Sequence, residues 1–179
     1  MSQEKKPKGL SRRDLLFGAV RKLRKQEEEP VPEPASHPAF DLGNAAYKNG
    51  DYEAAAAKYR QCLENVPDHV EARQRLGYCL YRLEQYAQAG DELQRVLDLR
   101  EKDNFASLYL GLAYARMGEP DKAANAWKGY FNPDEVLIQR EINIQTALLE
   151  TPEPPSAEDM AGAVEQAVTH RKRELAREG

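Results

Sequence analysis

The side chains most able to do chemistry are few and scattered. Histidine stands only at positions 37, 69 and 170 and cysteine only at 62 and 79. No two of His37, His69 and His170 lie at a metal-ligand spacing, so all three read as solvated surface residues. Cys62 and Cys79 are 17 residues apart, which makes neither a disulfide framework nor a zinc knuckle. They read as core fillers in a reduced, intracellular chain. The sequence has no glycine-rich phosphate loop, no HExxH pair and no G-x-S-x-G elbow. Its carboxylates are abundant, yet no pair is marked out for acid and base work. A non-catalytic protein without metal or cofactor is expected. The chemistry that remains is recognition. Tyr, Arg and Lys recur together at Tyr47 and Lys48, at Arg75, Tyr78, Tyr81 and Arg82, and at Tyr109 and Arg116. Rings give contact area at low entropy cost and guanidinium groups give forked hydrogen bonds, the composition expected of a peptide-binding surface.

Holding such groups on one surface needs rigid elements, and the sequence predicts helices. Residues 39–150 show helical apolar spacing with no strand-like alternation. Leu42-Gly43, Leu76-Gly77 and Leu110-Gly111 recur every 34 residues, as do Ala55, Ala89 and Ala123, and the large residues Tyr59, Leu93 and Trp127. Gly50-Asp51-Tyr52 realigns with Glu84-Gln85-Tyr86 and Gly118-Glu119-Pro120, marking the turn inside each unit. Each glycine is expected to allow close crossing of two helices, with Ala55, Ala89 and Ala123 as the small residues met there.

This pattern resembles the tetratricopeptide repeat family, with the stretch LGNAAYKNGDYEAAAAKYRQCLENVPD nearest to its consensus and the likeness running from residue 36 to about 132. The resemblance implies an all-α helical solenoid of three helix pairs. Residues 134–149, with Val136, Leu137, Ile138, Ile142, Ile144 and Leu148, supply a capping helix for the last pair. After a linker at 151–157, a helix over 158–179 carries Met160, Val164, Val168 and Leu175 on one stripe, free to dock or to stand apart.

In such a solenoid the first helix of each pair lines a concave groove. Helical offsets place Phe40, Asp41, Asn44, Tyr47 and Lys48 there, then Gln74, Arg75, Tyr78, Tyr81 and Arg82, then Phe105, Leu108, Tyr109, Leu112 and Arg116. For Phe105, Leu108 and Leu112 two readings stay open: a partner surface, or cover by the chain's own C-terminal helix. Some family members hold the terminal carboxylate of chaperone tails in a clamp of Lys, Asn and Arg. Asn44 matches one member of that clamp, but Phe40, Phe105 and Tyr109 stand where polar members are needed. An internal or helical partner segment with apolar and acidic residues is expected instead.

Charge is distributed unevenly. The net charge is −4, but residues 1–25 contain nine Lys or Arg against two acids, so the remainder carries −11. Nucleic acid is therefore not an expected partner. Residues 11–25, SRRDLLFGAVRKLRK, form a basic amphipathic segment with Arg12 and Arg13 ahead of the stripe Leu16, Val20 and Leu23. SRRDLLFG resembles a twin-arginine signal, but the apolar step is short and basic residues interrupt it. It is similar to uncleaved leaders of cytoplasmic accessory proteins of bacterial redox systems. That likeness implies docking on a respiratory or redox complex, against the alternatives of an anionic membrane surface or an inert tail. Residues 26–38 are an acidic, proline-rich linker. The sequence thus predicts a cytoplasmic adaptor or scaffold, with a redox-complex accessory factor and an RNA-binding repeat protein as the other readings.

Overall fold

Several helix starts in this chain are set by side chains that accept the first free amides, while those at Gln85, Glu119 and Glu135 have no such cap. Asp51, His69 and Asp103 accept from the backbone N–H of Ala54, Ala72 and Ala106 at 2.9, 3.3 and 2.8 Å, as N-caps do. His37 accepts from Ala39 at 3.3 Å. Two histidines expected to be merely solvated are therefore structural, and the His69 ring also lies 4.6 Å from that of Phe40. A computed structural model describes residues 37–178; the N-terminal segment and most of the acidic linker fall outside the described residues.

The described residues form eight helices and no strand. In chain order they are α1 (Pro38–Lys48), α2 (Tyr52–Asn65), α3 (Val70–Arg82), α4 (Tyr86–Leu99), α5 (Asn104–Arg116), α6 (Pro120–Trp127), α7 (Val136–Leu148) and α8 (Ala157–Glu178). The three turns inside the first three pairs close in the same way. Asp51, Gln85 and Glu119 donate their N–H back to the carbonyls of Ala46, Leu80 and Tyr114 at 3.1, 2.9 and 2.9 Å. This helix ending needs a left-handed residue, filled by Gly50 and Gly118 at φ 77° and by Glu84 at φ 60°.

Within the pairs α1/α2, α3/α4 and α5/α6, the nearest neighbour of each repeating glycine is a large side chain of the second helix. A methyl group on Gly43 would stand 2.6 Å from Tyr59, one on Gly77 2.7 Å from Leu93, and one on Gly111 2.2 Å from Trp127. The glycines make room for the large residues of the second helices, and at Gly77 the alanine backbone, Ala89 O at 3.5 Å, also comes near. Tyr59, Leu93 and Trp127 are accordingly almost fully buried. Successive pairs stack through α2 on α3 and α4 on α5. Leu42 is 56% exposed where Leu76 and Leu110 are 2% exposed, because among the described residues no earlier pair covers α1.

The end of the solenoid differs from the expected single cap. In α7 only Ile138, Ile142 and Gln145 are buried, while Val136, Ile144 and Leu148 are exposed. The capping surface is shared: α7 packs on α6 and α8, and α8 packs on α5. Met160, Ala161 and Val164 of α8 are fully buried. The helix that could have stood apart is docked, and with α7 it forms a fourth pair.

Candidate partner-binding groove

The surface formed by α1, α3 and α5 carries a continuous network of rings. Tyr78 sits at its centre, 5.6 Å from Tyr47, 6.0 Å from Tyr52, 5.7 Å from Phe105 and 4.8 Å from Tyr109 between ring centroids. Contacts of this tilted and edge-on kind are favourable beyond the area they bury. Two guanidinium groups lie on the network: Arg75 over Tyr47 at 4.8 Å and Arg82 over Tyr52 at 4.7 Å. Arg82 also donates to the hydroxyls of Tyr52 at 2.9 Å and Tyr78 at 3.1 Å. Arg75 and Tyr47 are half-buried, and Arg82 and Lys48 are exposed, so this stretch is open to a partner.

The other stretch is covered by α8. Glu165 accepts a hydrogen bond from the Tyr81 hydroxyl and is gripped by Arg116 through Nε, at 3.1 Å, and Nη2. Leu108, Tyr109, Leu112 and Tyr81 are buried as a result, while Phe105 stays half-buried at the boundary. Lys172, one helical stretch beyond Glu165, lies 5.5 Å above the Tyr78 ring, with Nζ 3.4 Å from its hydroxyl. A cavity of about 450 Å³ remains between α3, α5 and α8.

These contacts set the electrostatics. Burial, and then the neighbouring Glu165, push the Tyr81 phenol well above its usual range. Burial and the adjacent Tyr78 do the same to Tyr109. For Tyr78 burial acts upward as well, but the hydrogen bond from Arg82 and the charges of Lys172 and Arg82 outweigh it and bring the phenol below its usual value. The hydrogen bond to Glu165 raises Arg116 further. Cys62 and Cys79 are buried free thiols, and burial pushes Cys79 up to about 12, which suppresses thiolate chemistry. No group of three or more His, Cys, Asp or Glu able to hold a metal occurs among the described residues.

The structure thus brings together Tyr47, Lys48, Arg75 and Arg82 on an open face around the buried Tyr78, and places Tyr81, Tyr109 and Arg116 beneath α8. Asn44, expected in the groove, is instead tied between helices by accepting from the Tyr59 hydroxyl at 2.8 Å. Sequence reasoning missed Tyr52, Glu165 and Lys172. Tyr52 had a signal, since it follows the repeating turn where Tyr86 recurs; Glu165 and Lys172 had none, since they lie outside the repeat. Arg12, Arg13, Leu16, Val20 and Leu23 lie outside the described residues.

Comparison with known proteins shows the repeat fold. Two family models, each described as tetratricopeptide repeat, match residues 40–104 and 105–130, together more than half of the chain. A crystal structure of MamA superposes with a TM-score of 0.58 at 20% identity, covering 94% of this chain and 99% of that one. A double mutant of MamA, MamA RS-1 ArsTM, superposes with a TM-score of 0.58 at 25% identity, covering 89% of each chain. No curated protein matches the sequence. No helix among the described residues is long and apolar enough to cross a membrane.

Proposed function

This chain belongs to the tetratricopeptide repeat family, and we propose that it is a non-catalytic protein–protein interaction scaffold whose partner segment lies on the tyrosine and arginine strip of α1 and α3. The observation that carries this reading is the pairing of Arg75 and Arg82 with the rings of Tyr47 and Tyr52 on an accessible face. Rings and guanidinium groups already ordered against one another lose little entropy when a partner binds. The groove is shorter than the repeat count suggests, because α8 lies over its third section. Its rim is basic and aromatic, which suits an extended or helical segment carrying an apolar anchor beside an acidic residue.

Affinity capture from native cell extract tests this. Full-length protein is compared with the Tyr47→Ala, Arg75→Ala double variant and with Lys58→Ala on the second helix of the first pair. Loss of an anchor ring and a guanidinium should weaken a specific partner by about 2 kcal/mol or more, while Lys58→Ala should matter little. A partner set unchanged by the double variant would exclude the concave face.

A second reading rests on the sequence SRRDLLFG, whose likeness to redox accessory leaders supports docking of residues 11–25 on a respiratory or redox complex. Here Leu16→Glu should abolish protein docking, and replacing Arg12 and Arg13 by Lys should weaken it while sparing attachment to an anionic membrane. Binding of a peptide spanning residues 8–26 to cell extract and to anionic vesicles separates the two.

A further inference from the structure

Two phenols of the inner face each meet a cation, and they differ in one respect. Tyr81 shares its cation, Arg116, with the carboxylate of Glu165. Tyr78, almost one turn earlier on α3, receives Arg82 Nη1 at 3.1 Å and faces Lys172 Nζ at 3.4 Å. Among the described residues neither Arg82 nor Lys172 forms an ion pair with a carboxylate, unlike Arg73, Arg100 and Arg116; Arg75 and Arg140 form none either, and what sets Arg82 and Lys172 apart is that both meet the Tyr78 hydroxyl. The two cations come from different elements, α3 and α8, and converge on one oxygen at the edge of the cavity of about 450 Å³.

Whether α8 is the occupant of this groove or its wall is decided by what holds it. Met160, Ala161 and Val164 are fully buried, and burying a Met or Val side chain contributes a stabilisation worth roughly tenfold or more each in the docking equilibrium. Glu165 adds its hydrogen bonds to Tyr81 and Arg116. A partner would have to replace all of these to expel the helix. The helix is therefore a fixed wall, and Lys172 belongs to the groove.

We propose that Arg82 and Lys172, set over Tyr78, bind the carboxylate of an acidic side chain in a partner peptide, reproducing with an external acid the Tyr81–Glu165–Arg116 arrangement that the chain makes internally. This rests on the groove reading above and adds to it the ligand group and a residue from outside the repeats. In the bound form the Tyr78 hydroxyl turns from accepting to donating, as Tyr81 donates to Glu165. Leu112 and Val168 line the same cavity and supply an apolar neighbour to the carboxylate. Glu84 and Glu165 line it too, and with the −11 balance beyond residue 25 they disfavour a long phosphate backbone.

The test uses full-length protein and a fluorescently labelled oligoserine peptide carrying one central glutamate, followed by anisotropy against an all-serine control. The glutamate peptide should bind more tightly than oligoserine. Lys172→Gln and Arg82→Gln should each weaken it about tenfold, the loss expected for one hydrogen bond to a charged group. Glu84→Gln should strengthen it, and Arg140→Gln on α7 should leave it unchanged. Inorganic phosphate at matched ionic strength should not displace the peptide. Thermal melts of all variants identify any loss of folding, and Lys172, exposed on α8, provides the variant least coupled to stability. If Arg75→Gln removes binding while Lys172→Gln and Arg82→Gln do not, the carboxylate site is wrong and the groove reading stands. Equal binding of oligoserine, or displacement by phosphate, overturns the assignment to a side-chain carboxylate; the capture experiment with Tyr47 and Arg75 judges the groove independently.

Discussion

At Gly111 one added carbon would stand 2.2 Å from the indole nitrogen of Trp127, a rigid ring whose N–H donates to Leu108 O at 3.1 Å. At Gly77 the same carbon meets Leu93 Cγ at 2.7 Å, the branch point of a fully buried side chain that is smaller and less rigid than an indole. Alanine in a helix gains up to about 1 kcal/mol over glycine from propensity, and overpacking costs about 1–3 kcal/mol. Gly111→Ala should therefore destabilise by about 1–2 kcal/mol, and Gly77→Ala by less, in thermal or urea unfolding. The reverse order would refute the packing account. Tyr78 gives a second prediction at this scale. Its phenol lies below the usual value because Arg82 and Lys172 outweigh burial, so it should ionise before Tyr81 and Tyr109 when absorbance near the tyrosinate band is followed with rising pH. Tyr78→Phe should delete the early step, and Lys172→Gln should move it upward. These pairings were legible in part: Tyr78 and Arg82 are read from helical offsets, but Lys172 reaches Tyr78 only because a helix 94 residues further along the chain lies over it.

Among the elements, the turns obey one rule with one exception. Gly50 and Gly118 hold the left-handed position at φ 77°, while Glu84 takes φ 60° with a side chain. A left-handed conformation costs a non-glycine residue roughly 1–2 kcal/mol. Glu84→Gly should raise stability, by about 1 kcal/mol after the entropy that glycine adds to the unfolded chain. A lower melting temperature in that variant would show that Glu84 makes a compensating contact. The sequence aligned Glu84 with the two glycines, so the position was legible and its strain follows from the turn type. The cap was less so. The apolar residues of α7 predict one covering helix, but Val136 and Ile144 remain exposed, because α8 covers the inner helix α5 while α7 meets α6. Apolar composition indicates that a helix has a face to bury and leaves open which neighbour arrives first.

For the molecule as a whole, the buried phenols predict an alkaline limit to stability. Tyr59, Tyr81, Tyr109 and Tyr130 are all raised, in each case chiefly by burial. Above the unfolded value of about 10 the unfolded chain releases these protons and the folded chain keeps them. Stability is then fully present below about pH 10 and falls as pH rises further, by up to about 1.4 kcal/mol per pH unit for each such phenol. Urea midpoints should drop steeply above pH 10, and replacing Tyr59 by Phe should make the decline shallower. A flat profile between pH 9 and 11 would contradict the burial of these hydroxyls. The architecture itself is legible in the sequence. A period of 34 residues in glycine and large apolar positions specifies paired helices, since each element is matched to its sequence neighbour through local contacts. Which part of the groove stays accessible was decided only by tertiary structure. Glu165 and Lys172 lie outside the repeat and carry no periodic signal, and their roles arise when Met160, Ala161 and Val164 bury against the last repeat and bring two charges across to Tyr81, Arg116 and Tyr78. Periodicity records contacts between neighbours along the chain; the docking of α8 depends on long-range burial, which leaves no spacing in the sequence to read.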